Sequence, residues 1–237
     1  MTKGIILNVG ARKSKKYEGF LGPIFQDGSF KFLPILDDYF PQCPTYRSLG
    51  LSEYVPEGFT DKPVHNDPEF STNTYGHVRR FNELGAIAEL DPGDYLFFMS
   101  GLGCIDPPTK SWTNARWGMY VIGYLKVSSI FVGNSIDLQW PKIIENQARV
   151  EKEFGDNAHV KRGDMPDLLI KGDCGSGLLP RAAPLSSNSD PLRLNSAVVG
   201  ILSTLGGRPI DHHDRNWYRW ILKCEGNALD ALMTYID

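Results

Sequence analysis

The segment Asn157-Ala158-His159-Val160-Lys161-Arg162 places an imidazole between an amide and two cations. Histidine changes charge near neutral pH, so His159 is a candidate general acid or base, or a donor to a phosphate or a base edge. Asn157 would orient the ring or the substrate, and Lys161 and Arg162 would meet phosphate. The competing reading is an exposed loop histidine beside an asparagine that merely caps or turns the chain. Tyr75, between Thr74 and Gly76, is a second candidate. Glycine lets the backbone approach a ligand, and a base stacked on such a ring is worth about 1–3 kcal/mol. With equal weight, Tyr75 packs its own segment onto the core.

Net charge is −3 over 237 residues, so no global basic field recruits nucleic acid. The cations are nevertheless clustered. Arg12-Lys13-Ser14-Lys15-Lys16, Arg79-Arg80 and Lys161-Arg162 would form a phosphate-binding patch if the fold gathers them, and otherwise are solvated loop charges. Ser176 lies in Gly172-Asp173-Cys174-Gly175-Ser176-Gly177, whose amides would form an anion nest or only a plain turn. That run lacks the Gly-Lys-Ser/Thr of a triphosphate loop and is not G-x-G-x-x-G.

No metal and no cofactor are assigned. Cys43, Cys104, Cys174 and Cys224 are far apart, without C-x-x-C spacing. His212-His213-Asp214-Arg215 is ligand-rich, but adjacent residues point in different directions. Pro166-Asp167 with Lys171 fails the nuclease pattern, because Leu169 stands where an acid is needed. There is no G-x-S-x-G.

The elements that must position these residues are read from periodicity. Leu90-Asp91-Pro92-Gly93-Asp94 is turn chemistry, in which Asp94 fixes the turn. The aromatic and β-branched runs 95–101 and 117–127 follow as two core strands. Residues 4–9 predict an opening strand, too short in its apolar run to be a signal peptide, and a cytoplasmic location is the default expectation. Asp27-Gly28 predicts a hairpin between residues 23–25 and 30–35. Residues 36–78 are expected to form a long, largely irregular excursion of the kind that carries function or wraps a surface. Helices are expected at 78–89 and 140–154, a strand at 167–171, a loop at 180–191, and helices near 216–224 and 228–236. With 41% hydrophobic residues and no composition break, one domain over 1–237 is expected.

An ordered set of motifs resembles the third type of nucleotide-modification-associated domain, a family of phage and prokaryotic gene neighbourhoods. The motifs are Asn8-Val9-Gly10; Gly22-Pro23-Ile24-Phe25 with Leu33-Pro34-Ile35; Asp67-Pro68-Glu69-Phe70; Thr74-Tyr75-Gly76; Leu90 to Leu102; Ile122-Gly123-Tyr124; Asn157-Ala158-His159; and Leu168 to Leu179. They span about residues 4–187, and residues 188–237 fit the pattern poorly. The resemblance implies a role in the metabolism or recognition of modified nucleotides or DNA bases. The central strands also resemble PUA, ASCH and EVE barrels, which implies an α+β fold with a small mixed β-barrel, flanking helices and the long excursion.

Three functions are open on these residues. A binding module would place Arg12, Lys13, Arg79 and Arg80 on phosphate and Tyr75 on a base, with nucleic acid or nucleotide as partner and no membrane. An enzyme would use His159 as acid or base with Asn157 beside it. A protein-interaction subunit would use its excursion to contact a partner.

Overall fold

Two runs of aromatic and β-branched residues, Tyr95–Cys104 and Trp117–Val132, make the longest strands and pair antiparallel at the centre of the sheet. The computed structural model describes residues 1–10, 20–37, 40, 43–77, 83–104, 117–133, 140–163, 166–188, 190–204, 207–210, 214, 217 and 221–237. In chain order the elements are β1 (Lys3–Asn8), β2 (Gly22–Ile24), β3 (Ile35–Leu36), β4 (Val64–His65), β5 (Thr74–His77), α1 (Glu83–Ala88), β6 (Tyr95–Cys104) and β7 (Trp117–Val132). They continue with α2 (Trp140–Phe154), α3 (Ala158–Lys161), β8 (Leu168–Gly172), β9 (Gly177–Pro184), β10 (Ser203–Thr204), β11 (Leu222–Glu225) and α4 (Asn227–Ile236).

The main sheet runs β10-β11-β1-β6-β7-β8-β5, with β2 also on β6 and β9 also on β7. β1 and β2 lie parallel to β6, and the remaining pairs are antiparallel. Among the described residues no pairing joins β10 to β5, so the ladder is an open path and the expected barrel closure is not found. Both faces of the central strands are apolar. Along β1 and β6, Ile5, Leu7, Leu96, Phe98 and Leu102 enter one apolar cluster, while Ile6, Phe97 and Met99 enter another. A sheet apolar on both faces needs a cover on each, as in a layered fold.

The first cluster takes in Tyr75 of β5, at the end of the same sheet, and Ile87 of α1. The other contains Leu194, Val198 and Trp217 with Leu229, Leu232 and Ile236 of α4, whose spacing is helical. A bulge shifts the phase of β7: Met99 pairs with Val121 and Phe98 with Gly123, leaving Ile122 as the extra residue. Tyr120 and Ile122 face the first cluster before it; Leu125 and Val127 face that cluster after it. Gly123 is required there, because a Cβ would lie 2.5 Å from the Gly177 carbonyl oxygen and 2.7 Å from Phe70.

The Pro-Gly-Asp turn behaves as its residues predict. Asp94 accepts the Asp91 and Lys3 N–H groups at 2.9 and 3.0 Å, and Gly93 takes φ +98°. At the Asp27-Gly28 turn, Phe25 N–H donates to Ser29 O, and Gly28 has φ +84°.

Two expectations are corrected. Residues 180–184 extend β9, which pairs with β7, instead of forming loop. The segment ending at Cys224 contributes strand β11 against β1, since Leu222 and Cys224 alternate in burial. The excursion is largely irregular, as expected, with only short strands and turns, but it has an apolar core. Its Leu36, Tyr46, Val55 and Val64 cluster with Phe20 and Leu33 from the preceding segment, fastened by the Tyr46 hydroxyl to the Pro34 carbonyl at 2.6 Å. No described helix is long and apolar enough to cross a membrane.

Candidate functional site

The excursion delivers two acids and a histidine to one point. β3 pairs with β4, opposing Ile35 to His65 and Leu36 to Val64, and Asp37 N–H donates to the Pro63 carbonyl at 2.9 Å. Asp37 and His65 are thereby neighbours, with Asp37 Oδ2 4.0 Å from His65 Nδ1. Two residues after His65, Asp67 turns its carboxylate onto β5, where the Gly76 N–H donates to both oxygens at 3.0 and 3.2 Å.

The third contribution comes from α3. Asn157 is its N-cap, and its Oδ1 accepts the His159 N–H at 3.0 Å. The Asn157 amide also reaches Thr74 Oγ1 at 3.2 Å and Asp67 Oδ1 at 3.5 Å. His159 lies against the bare Gly76 backbone with Nε2 3.5 Å from Asp67 Oδ2. The His65 ring meets the His159 ring edge-on, 4.5 Å between centroids, and His65 Nε2 is 3.8 Å from Asp67 Oδ2. The donor atoms of His65, Asp67 and His159 all fall within 4.8 Å of one another, the reach of a single metal ion.

Arg162 closes the cluster. Its Nη1 pairs with Asp37, its Nη2 donates to His159 Nδ1 at 2.7 Å, and its guanidinium lies 4.5 Å over the Phe40 ring. Arginine has no acceptor, so Nδ1 of His159 accepts and the ring proton resides on Nε2, facing Asp67. Burial, reinforced by His159 and Arg162 against the pull of Asp67 and Asp37, drives the His65 pKa down from 6.5 to about 4. His65 is therefore neutral at physiological pH.

A cavity of about 240 Å³ lies beside the cluster, lined by Cys43, Pro44, Asn66, Glu69, Lys161 and Arg162, with Val64, Ala158 and Leu49 completing it. Along residues 64–67 the lining positions alternate with the cluster positions, so His65 and Asp67 sit behind the cavity wall. Arg162 belongs to both. Lys161 is half-exposed and donates to Glu69 Oε1 at 3.2 Å. Burial raises the Glu69 pKa more than Lys161 lowers it. Burial, with Asp37 next, raises the Cys43 thiol.

The sequence candidates divide accordingly. His159, Asn157, Lys161 and Arg162 come together as expected, but His159 is buried in a helical turn and not on an exposed loop. Tyr75 is likewise corrected from a loop position to strand β5. Its ring is buried 5.5 Å from Phe98, and its hydroxyl meets His77 Nδ1 at 2.9 Å. Ser176 Oγ accepts the Lys126 N–H at 3.0 Å, while Asp173 takes the Gly175 N–H at 2.9 Å. The glycine-rich run is a turn between β8 and β9, bonded within itself and to Lys126 of β7. Arg12, Lys13, Arg79, Arg80 and the pair His212-His213 lie outside the described residues. Sequence reasoning missed His65, Asp67 and Asp37; the signal was the pair of ligand-type residues in His65-Asn66-Asp67.

Asn157 offers a test of whether this network is more than a helix cap. Asn157→Ala is expected to lose about 1–2 kcal/mol in urea unfolding, the range of an N-cap. Asn157→Asp keeps the cap acceptor but sets a second carboxylate beside Asp67, so it should destabilise at least as much as alanine. An Asp variant as stable as the parent would reduce Asn157 to an ordinary cap.

A family model described as nucleotide modification associated domain 3 matches residues 3–231. The match takes in β10, β11 and the first half of α4, beyond the 4–187 span of the recognisable motifs. No curated protein and no solved structure matches the chain.

Proposed function

Because the chain belongs to the nucleotide modification associated domain 3 family, we propose that it binds a nucleotide or modified base in the cavity beside α3. The observation that carries this reading is Arg162, which lines the cavity while touching His159 and Asp37 of the buried cluster. At about 240 Å³ the cavity is smaller than the roughly 300–1,000 Å³ of drug-sized sites. It suits a base or nucleoside, with phosphate left to Lys161 and Arg162 at the wall. Arg79 and Arg80 follow β5 directly in sequence, and Arg12 and Lys13 follow β1; in this reading they extend the phosphate contacts along a strand of nucleic acid.

The measurement is titration calorimetry with nucleoside monophosphates and with DNA carrying modified or ordinary bases. Lys161→Ala is expected to weaken a phosphorylated ligand about 10–100-fold, the worth of one charge-assisted bond. For DNA it should reduce the slope of log K against log salt by about one. Equal affinity of parent and Lys161→Ala for every phosphorylated ligand would remove the cavity from the reading.

A second reading, turnover of the nucleotide, is favoured by the Asp67–His159 pair, since buried titratable groups gathered beside a cleft are typical of reaction centres. His159 would act as acid or base once an anionic ligand draws Arg162 off Nδ1, with Asn157 holding the ring. Product formation abolished by His159→Gln, with ligand affinity retained, is the expected signature.

A further inference from the structure

We propose that His65, Asp67 and His159 form a binding site for one divalent first-row transition-metal ion. Two imidazoles and one carboxylate are a donor set that such ions take readily, leaving coordination positions open for water or substrate. Ligands about 2.0–2.2 Å from a metal stand about 3.0–3.5 Å from one another in octahedral or tetrahedral geometry. The Asp67 oxygen lies 3.5 Å from His159 Nε2 and 3.8 Å from His65 Nε2, so a few tenths of an ångström of contraction brings these two pairs to that spacing, and all three donor atoms lie within 4.8 Å of one another.

The surroundings are those of a supported metal site. Asp67 is anchored by the Gly76 N–H and faced by the Asn157 amide, which fixes the carboxylate before any ion arrives. His65 Nδ1 is buried without a hydrogen-bond partner and lies 4.0 Å from Asp37 Oδ2. Ligation through Nε2 would turn Nδ1–H toward that carboxylate, as ligating histidines commonly require. For His159 the ion takes the place of the Nε2 proton, which passes to Nδ1. Arg162 must then leave Nδ1 and turn fully to Asp37, which links occupancy of the metal site to the position of a cavity-lining cation. This inference goes beyond nucleotide binding and does not depend on it.

The test is titration of the chelator-treated full chain with cobalt(II), read by visible absorption, and with zinc(II) by competition. One equivalent of cobalt should bind with a spectrum of nitrogen and oxygen ligation. His65→Gln, Asp67→Asn and His159→Gln should each weaken it by more than about 100-fold, beyond the roughly 10–100-fold carried by outer partners. Cys174→Ser, which removes the exposed thiol, should bind as the parent does. Circular dichroism establishes that each variant is folded. Should the ligand variants fail to fold, the parent alone decides, because bound cobalt must shift the ring proton resonances of His65 and His159. Binding below one equivalent, a thiolate charge-transfer band, unshifted His65 and His159 signals, or undiminished binding in folded His65→Gln and His159→Gln would each overturn the proposal. Nucleotide titration in the presence of EDTA reads the cavity separately, so failure of one reading is distinguishable from failure of the other.

Discussion

Arg162→Met is expected to destabilise the protein by about 3–5 kcal/mol, the cost of taking one partner from a buried ion pair. The Arg162 and Asp37 side chains are only 9% and 5% exposed, and no exposed salt bridge approaches that effect. The loss has three sources: the Asp37 carboxylate is left in a low-dielectric setting, the His159 Nδ1 acceptor loses its donor, and Phe40 loses the stacked guanidinium. The double variant Asp37→Asn with Arg162→Met should recover a large part of the loss, because it removes the charge that the single variant strands. Chemical denaturation of parent, singles and double closes the cycle. A single-variant loss below about 1 kcal/mol would show that the pair behaves as a surface bridge.

The second large effect is expected at Gly76. Its φ is not positive, so backbone freedom is not the reason for glycine there. Space is. A Cβ would lie 2.5 Å from His159 Cδ2 and 2.9 Å from Asn157 Oδ1, both on side chains fixed by other bonds. Gly76→Ala should therefore cost about 2–3 kcal/mol through overpacking and drive His159 away from Asp67. The displacement is readable as altered His159 ring resonances, and as loss of cobalt binding if the metal site exists. Gly85, in α1, is the control: nothing lies within 4 Å of its Cβ position, so Gly85→Ala should be neutral or stabilise by up to about 1 kcal/mol. If both substitutions behave alike, the His159–Gly76 contact does not restrict the site.

Local chemistry made several features legible. The Asp91-Pro92-Gly93-Asp94 turn, the apolar runs of β6 and β7, and the helical spacing of α2 and α4 are all encoded within a dozen residues, where turn propensity and period decide. Asn157, His159, Lys161 and Arg162 were found together for the same reason: one turn of chain holds them. Errors arose where the deciding contact is distant. β11 is a strand because β1 supplies its hydrogen bonds, 220 residues away along Gly4 and Cys224. Tyr75 is buried because β8 and Phe98 close over β5.

By itself the sequence determined the alphabet of this protein: its central strands, the helices α2 and α4, its family and one of the segments that builds the site. Tertiary structure alone decided the chemistry that the segment can do. His159 is an isolated imidazole in the chain. In the fold it becomes part of a cluster with His65, Asp67 and Asp37, because β3 pairs with β4 and Asp67 docks on the Gly76 amide. Likewise only the ladder among the described residues shows that β10 and β5 do not pair, since closure depends on whether the two end strands meet. Short-range propensity cannot specify which distant segments share a hydrogen bond, and in this protein those shared bonds assemble the site.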